Sequence, residues 1–378
     1  MLNFVFNILY MIFIAGGTLA FFFEFLLLGK RSKTLADKIL TFWMFILGLH
    51  IFFYYFYTTG LDFQYPHLLG IGIPFPLIHG PLLFLYTGAL TGYFAKWKPK
   101  YLLHFLPVIF FYFYYIDFFI SSGPEKIEFV KEMISNPGPF YKILFPVILL
   151  SGFSYIFLTF LLFRKHHRNI INNFSSSTEQ NNLNWLRYIL IGVLVIWLVV
   201  FLTDIWFKYS FKDDAIYVSV TLFVVFIGFF GLRQGNIFIN LPNSCIPEEL
   251  FAEEKQRYSK SGLKEDRAIE TQKILTRLME EEKLYLNENI SLPQLATMLN
   301  IHPNYLSQVI NERFQKNFYD FINSYRVEEF KRVVALEKSK KKTFFALALD
   351  CGFNSKASFN SSFKKITGIT PSKFVKSL

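Results

Sequence analysis

Seven long apolar stretches occupy the first 233 residues and restrict the folds that this chain can adopt. A helix of about 20 apolar residues crosses the hydrocarbon core of a bilayer. Apolar residues make up 53% of the chain and the mean hydropathy is +0.33, values that are high for a soluble protein. The sequence therefore predicts an all-α fold that begins with a seven-helix transmembrane bundle over 1–233. The predicted spans are 2–28, 36–58, 69–94, 101–120, 139–163, 184–208 and 214–232.

The loop charges predict how the bundle is oriented. Loops on the cytoplasmic side of a membrane carry an excess of lysine and arginine. The first, third and fifth loops carry 11 basic residues, from Lys30 to Arg187, whereas the other loops carry only Lys126, Lys131, Lys208 and Lys212. We therefore expect the N-terminus outside and everything after Arg233 in the cytoplasm. The first stretch lacks a basic start, so we expect it to be a span and not a cleaved signal peptide.

Four ionisable side chains within the predicted spans are candidate ligand-binding residues. Such groups are costly to bury in hydrocarbon and often mark functional sites. The third span also opens with GIGIPFPLIHGP, whose prolines free backbone groups that can line a cavity. One interpretation is a small polar pocket that opens outward, and the alternative is hydrogen bonding between helices or at the membrane interface. The candidates are His50, His79, Asp117 and Asp204.

The composition changes after residue 233. Residues 234–266 are polar and contain two prolines, which predicts a linker, and an apolar stripe beginning near Ile269 predicts a helix in the domain that follows. The two cysteines, Cys245 and Cys351, have no spacing typical of a metal site or a disulfide framework. We expect no metal and no cofactor.

The first of two similar units covers 291–313. Ser291 and Gln294 have the spacing of a capping box, and Pro303 suits the first position of a second helix. The outward face of that second helix carries uncharged amides and a hydroxyl. Such groups can hydrogen-bond the edges of DNA bases, although a solvated polar face is the plainer alternative. The candidate base-contacting residues are Asn304, Ser307 and Gln308.

The second unit covers 343–368 and repeats this plan. Ser355 is a predicted N-cap of its second helix. Phe359, Phe363 and Ile366 are predicted to face inward, because they share one face of the helix. The residues predicted to lie outward or at the edges of that face, and so to contact base edges, are Lys356, Ala357, Ser358, Asn360 and Ser361.

The region around both units is basic. From residue 291 to 378 the chain has 14 basic and 6 acidic residues, a formal charge of +8. The intervening segment of about 21 residues would form a helix roughly 30 Å long, close to the ~34 Å between major grooves on one face of DNA. Basic side chains neutralise phosphates, with a solvated loop as the alternative for a single lysine run. The candidate phosphate contacts are Lys340, Lys341, Lys342, Lys364 and Lys365.

The segment 267–378 resembles the AraC/XylS-type DNA-binding domain, a tandem helix-turn-helix. The motifs are LATMLNIHPNYLSQVIN, FYDFINSYRVEEFKR and ALALDCGFNSKASFNSSFKKITGITPSKF. The resemblance implies base contacts from the outward residues of both recognition helices. The second helix has mostly small residues where the family often has Arg or Gln. The whole arrangement resembles bacterial membrane-bound AraC-type regulators, which implies a location in the cytoplasmic (inner) membrane.

These observations predict a membrane-embedded transcription regulator and not an enzyme. No G-x-S-x-G, H-E-x-x-H or phosphate-binding glycine loop occurs in the sequence. The expected partners are double-stranded DNA, the lipid bilayer and a small-molecule or membrane-derived signal. A homodimer is an open alternative, because two helix-turn-helix units on one chain can contact DNA without a second chain. The competing function is a passive anchor that tethers DNA or a protein partner to the membrane.

Overall fold

The computed structural model describes most of the chain, and the described residues confirm the all-α class. They form helices and no strand, with one isolated antiparallel bridge between Phe174 and Ser291. They divide into two compact units: 1–163 with 184–240, and 164–183 with 241–378. The short segment 164–183, predicted from sequence to be part of the membrane domain, thus belongs to the second unit. The described residues are 2–94, 96–136, 138–175, 184–206, 212–233, 265–336 and 343–377.

Five helices in the described residues are long and apolar enough to cross a membrane. Within hydrocarbon, a helix is favoured because it satisfies its own backbone hydrogen bonds. Small residues let the first two pack closely: a Cβ on Gly48 would lie 2.9 Å from the ring of Phe21, and one on Gly17 would lie 2.7 Å from that of Phe52. The helices are α1 (Leu2–Leu28), α2 (Leu35–Thr59), α8 (Pro139–Asn173), α9 (Asn184–Trp206) and α10 (Lys212–Arg233).

The third and fourth predicted spans are not single long helices. Residues 69–75 of the third predicted span form turns, and Pro74 among them lacks the N–H group that a helix interior requires. Pro76 then suits the first position of the helix that follows. The remaining α4 (Pro76–Leu90) has 15 residues, a length of roughly 23 Å. The fourth is a 3₁₀ helix (Pro99–Phe105) followed by α5 (Leu106–Tyr114) and α6 (Ile116–Ile120). The predicted ranges 69–94 and 101–120 were therefore wrong as continuous helices.

Two further helices in this unit were not predicted. A short α3 (Leu61–Gln64) follows α2, and α7 (Gly123–Ser135) lies where the sequence predicted only an outer loop. Ser122 and Glu125 form a capping box at the start of α7, which is a local signal that sequence reasoning missed. The Lys126 ammonium is buried and donates to the carbonyl of Phe119 at 2.9 Å, so α7 is tied to α6.

The second unit consists of short helices on two apolar cores that share α14. One core includes Phe321 and Ile322 of α14, and the other includes Val327 and Phe330. The helices are α11 (Glu265–Glu280), α12 (Leu292–Met298), α13 (Pro303–Phe314), α14 (Phe318–Leu336), α15 (Phe344–Asp350), α16 (Lys356–Thr367) and α17 (Pro371–Lys376). Because both cores are built on one helix, α14 fixes two helical pairs in place: α12 with α13, and α15 with α16. The predicted linker, 234–266, falls almost entirely outside the described residues.

Gly352 joins the second core to the loop after α11. Its φ is +89°, in the left-handed region that disfavours side chains, and an added Cβ would collide with the carbonyl oxygen of Tyr285. Gly368 has a similar φ of +78° but nothing within 4 Å of the added Cβ. An alanine at Gly368 would therefore add only backbone strain, whereas an alanine at Gly352 would add both strain and a collision.

We expect Gly352→Ala to destabilise the second unit much more than Gly368→Ala. The first substitution adds strain and a backbone collision, roughly 2–3 kcal/mol, and the second adds only strain, about 1 kcal/mol. The neighbouring Cys351 thiol is buried, so its labelling rate reports opening of this core. In full-length protein carrying Cys245→Ser, Gly352→Ala should accelerate labelling more than tenfold. Equal rates in the two variants would contradict this account.

Candidate nucleic-acid interface

The first helical pair, α12 and α13, is positioned by caps at both helix starts. Ser291 and Gln294 form the predicted capping box, with the Ser291 N–H donating to Gln294 Oε1 at 3.0 Å. The His302 Nδ1 accepts from the Asn304 N–H at 3.2 Å and so caps α13, a role that the sequence did not reveal. Asn300 turns the chain between the helices with a φ of +51°. These caps and this turn thus set the direction of α13 relative to α12.

The outer face of α13 carries the predicted base-contacting groups. Asn304 and Gln308 are exposed and Ser307 is half-buried, whereas Leu306 on the opposite side is fully buried. The Gln308 amide donates to Glu312 Oε1 at 2.9 Å. Binding of a base by Gln308 would therefore require exchange of this hydrogen bond, while Asn304 stands exposed at the start of the helix.

The second helical pair, α15 and α16, presents four of its five predicted residues. Lys356, Ala357, Asn360 and Ser361 are exposed.

Two predictions for α16 were wrong, one for the fifth candidate base contact and one for a residue expected to face inward. Ser358 is buried, since its hydroxyl lies 2.9 Å from the Tyr319 hydroxyl of α14, and it therefore does not face a base edge. Ile366, which was expected to face inward, is 38% exposed.

The lysines predicted to contact phosphate differ in their surroundings. Lys364 and Lys365 are both exposed. The Lys365 ammonium lies 2.7 Å from both carboxylate oxygens of Asp320, so part of its charge is already neutralised. Lys340, Lys341 and Lys342 lie outside the described residues.

A buried arginine on α14 joins the parts of the second unit. Arg326 is fully buried, and each of its five N–H groups has an oxygen partner. Two of these bonds go to Ser175, at 3.0 Å to its carbonyl and 3.1 Å to its hydroxyl. The others go to the Tyr285 carbonyl, the Asn287 carbonyl and the Asn323 side chain. Burial lowers the pKa of Arg326 to about 10, which leaves it charged at neutral pH.

The Ser175 segment, residues 174–175, is held at the start of the first helical pair. The Ser175 hydroxyl donates to the carbonyl of Ile290 at 2.7 Å, and its carbonyl accepts from Asn323 at 3.0 Å. Phe174 bridges to Ser291, the cap of α12. The Arg326 guanidinium also lies 5.9 Å from the ring of Phe353, in the turn of the second pair. The Ser175 segment thus contacts the junction of both helical pairs, which no sequence motif indicated.

Of the four ionisable residues predicted within the spans, the structure brings two together. His50 Nδ1 and His79 Nε2 are 2.9 Å apart. Asp117 is exposed on α6 and takes no part in this cluster, so its prediction as a pocket residue was wrong. The side chain of Asp204 lies outside the described residues. The cluster continues through residues that the sequence did not single out: Trp43, Tyr54, Asp214 and Tyr217.

Comparison with known proteins identifies the C-terminal segment of the second unit. Residues 295–377 match the family model described as a helix-turn-helix domain, which confirms the resemblance of this segment to AraC-type domains. A solved structure of a Listeria innocua protein of unknown function is 28% identical over 28% of this chain and 94% of its own, with a TM-score of 0.25. No curated protein matches the chain. The C-terminal segment is thus a helix-turn-helix domain of a DNA-binding regulator type.

We expect Lys364→Ala to weaken binding to all DNA duplexes and to reduce the slope of log affinity against log salt by roughly 0.9, the value for one phosphate contact. Lys365→Ala should change the slope less, because Asp320 holds that ammonium. Asp320→Asn should release Lys365 and steepen the slope. Fluorescence anisotropy over a salt series measures all three, and identical slopes for the lysine variants would argue against this assignment.

Proposed function

We propose that this protein is a membrane-embedded transcription regulator that couples a signal at its transmembrane bundle to sequence-specific DNA binding. The helix-turn-helix match at 295–377 carries the DNA-binding part, and five apolar helices of spanning length support the membrane part. The exposed Asn304 and Gln308 on α13, with Lys356, Asn360 and Ser361 on α16, are the proposed base contacts. Lys364, Lys365 and the lysines at 340–342 are the proposed phosphate contacts.

The proposed topology has the N-terminus outside and the helix-turn-helix domain in the cytoplasm of a bacterium. The loop charges support it, and so does the division of the chain. Segment 164–183 belongs to the same compact unit as 241–378, which supports a topology that keeps both on one side of the membrane. The two apolar helices between them, α9 and α10, provide the even number of crossings that this requires.

The Ser175 segment supports active coupling over passive anchoring. Helix α8 has 35 residues, roughly 52 Å, and so is longer than the ~30 Å hydrocarbon core. It ends at Asn173, two residues before Ser175. This connection supports the proposal that a change in α8 is passed to Arg326, whose hydrogen bonds join both helical pairs. A signal acts on this arrangement only through a different affinity for two states of the bundle.

Sequence-specific binding is the first test. We expect full-length protein in lipid nanodiscs to bind its best selected duplex far more tightly than random duplex at physiological salt. Asn304→Ala should reduce affinity for the selected duplex by roughly 5- to 150-fold, the usual range for one base contact, and leave random duplex unchanged. Asn289→Ala, an exposed asparagine before α12, is the control. Equal affinity for both duplexes in the wild type would refute the proposal.

Coupling through the Ser175 segment is the second test. We expect Ser175→Trp, which cannot fit a fully buried site, to expose Arg326 and to loosen both helical pairs. Hydrogen exchange at 285–291 should accelerate, and affinity of the full-length protein for its selected duplex should fall roughly threefold or more. Asn173→Ala is the matched control, since that amide bonds to Asn169 within α8. Unchanged hydrogen exchange and unchanged DNA affinity in Ser175→Trp would refute a role of this segment in the DNA-binding unit.

A further inference from the structure

The membrane unit contains a cavity of about 640 Å³, a volume typical of small-molecule sites. Its walls are mainly aromatic and aliphatic, with Phe53, Phe111 and Val220 among them. Polar groups converge on one side, where His50, His79 and Tyr217 line the cavity. An apolar cavity with a few convergent polar groups is the usual form of a ligand site.

Hydrogen bonding fixes the tautomers of the two histidines. The Trp43 indole N–H can only donate, and it lies 3.2 Å from His79 Nδ1, so that nitrogen carries a lone pair. The His79 proton is therefore on Nε2, which donates to His50 Nδ1 at 2.9 Å. By the same reasoning the His50 proton is on Nε2, which donates to the Tyr217 hydroxyl oxygen at 2.8 Å. Both histidines are neutral in this arrangement.

This directed chain of donors ends at Tyr217. Its hydroxyl oxygen accepts from His50, so its own proton must be donated elsewhere. The ring is held in place by Tyr54, stacked at 3.6 Å between centroids and 5° between planes. The Tyr54 hydroxyl donates to Asp214 at 2.7 Å and so does not compete for the same role. Tyr217 thus has one hydroxyl proton to donate, on a ring that is fixed at the cavity wall.

We propose that this cavity binds an uncharged, largely apolar molecule whose carbonyl-type oxygen accepts a hydrogen bond from the Tyr217 hydroxyl. The apolar walls suit a hydrocarbon or aromatic body. Asp62 and Asp213 also line the cavity, and their carboxylates disfavour an anionic ligand. The inference rests on the proposed function in one respect, because it takes the ligand to be the signal that the bundle reports to the DNA-binding unit.

Two compounds of nearly the same shape test the proposed hydrogen bond. Benzophenone has one carbonyl acceptor, and diphenylmethane has a methylene group in its place. Equilibrium dialysis of full-length protein in nanodiscs, against empty nanodiscs of the same lipid, corrects for partition into the bilayer. We expect wild-type protein to bind benzophenone roughly three- to tenfold more tightly than diphenylmethane, the range for one hydrogen bond. In Tyr217→Phe this preference should vanish while diphenylmethane binding is retained.

Tyr188→Phe provides the control, because Tyr188 is 59% exposed on α9 and does not line the cavity. It should keep the wild-type preference for benzophenone. Equal binding of the two compounds to wild type, or an unchanged preference in Tyr217→Phe, would overturn the proposed ligand class. The proposed function is measured separately by DNA binding in the same nanodiscs. If the protein binds DNA specifically but shows no preference for benzophenone, the proposed ligand class is refuted and the proposed function is retained. If it prefers benzophenone but does not bind DNA specifically, the proposed function is refuted and only the ligand site is retained.

Discussion

The first unit, within its described residues, has five helices that are long and apolar enough to cross a membrane, and the absence of water in a hydrocarbon core is the constraint that such helices satisfy. A backbone amide there must find its partner within the chain, and helices are the available solution for single spans. The same constraint acts on side chains. His50, His79 and Trp43 satisfy one another in a connected series, and Tyr54 pairs with Asp214. Three of these polar residues, Trp43, His50 and His79, line one cavity, so the same hydrogen bonds that satisfy them also shape the candidate ligand site.

In the second unit, a single buried charge has a comparable organising role. Arg326 is fully buried, and its guanidinium is satisfied by carbonyls and polar side chains from several segments. A buried charge that loses part of its hydrogen bonding is strongly destabilising, so these segments are held together cooperatively. Ser175 supplies two of the acceptors. The packing of a helix-turn-helix domain and the position of the Ser175 segment are thereby joined at one side chain.

Local signals explain what the sequence could predict, and long-range contacts explain what it could not. The caps at Ser291 and Ser355, and the outward position of Asn304, follow from residue types at fixed spacing. His50 and His79 stood out because ionisable residues are rare in apolar helices. Ser358 lies at the boundary of two faces of α16, and its burial is decided by Tyr319, 39 residues away. Trp43 and Tyr217 could not be distinguished among 5 Trp and 21 Tyr residues. The Ser175 contact spans 151 residues and has no motif.

The length of α8 has a mechanical consequence. Pro146 interrupts the hydrogen bonding of α8 near its start, and residues 147–173 follow it without another proline. A regular helix resists bending, so a tilt at one end is carried to the other end as a displacement proportional to length. For these residues, a length of roughly 40 Å, a tilt of about 5° moves the tip by about 3–4 Å. Hydrogen bonds weaken sharply over a few tenths of an ångström. Under the proposed function, a lever of this length would convert a small reorientation of the bundle into a movement large enough to break contacts such as those of Ser175.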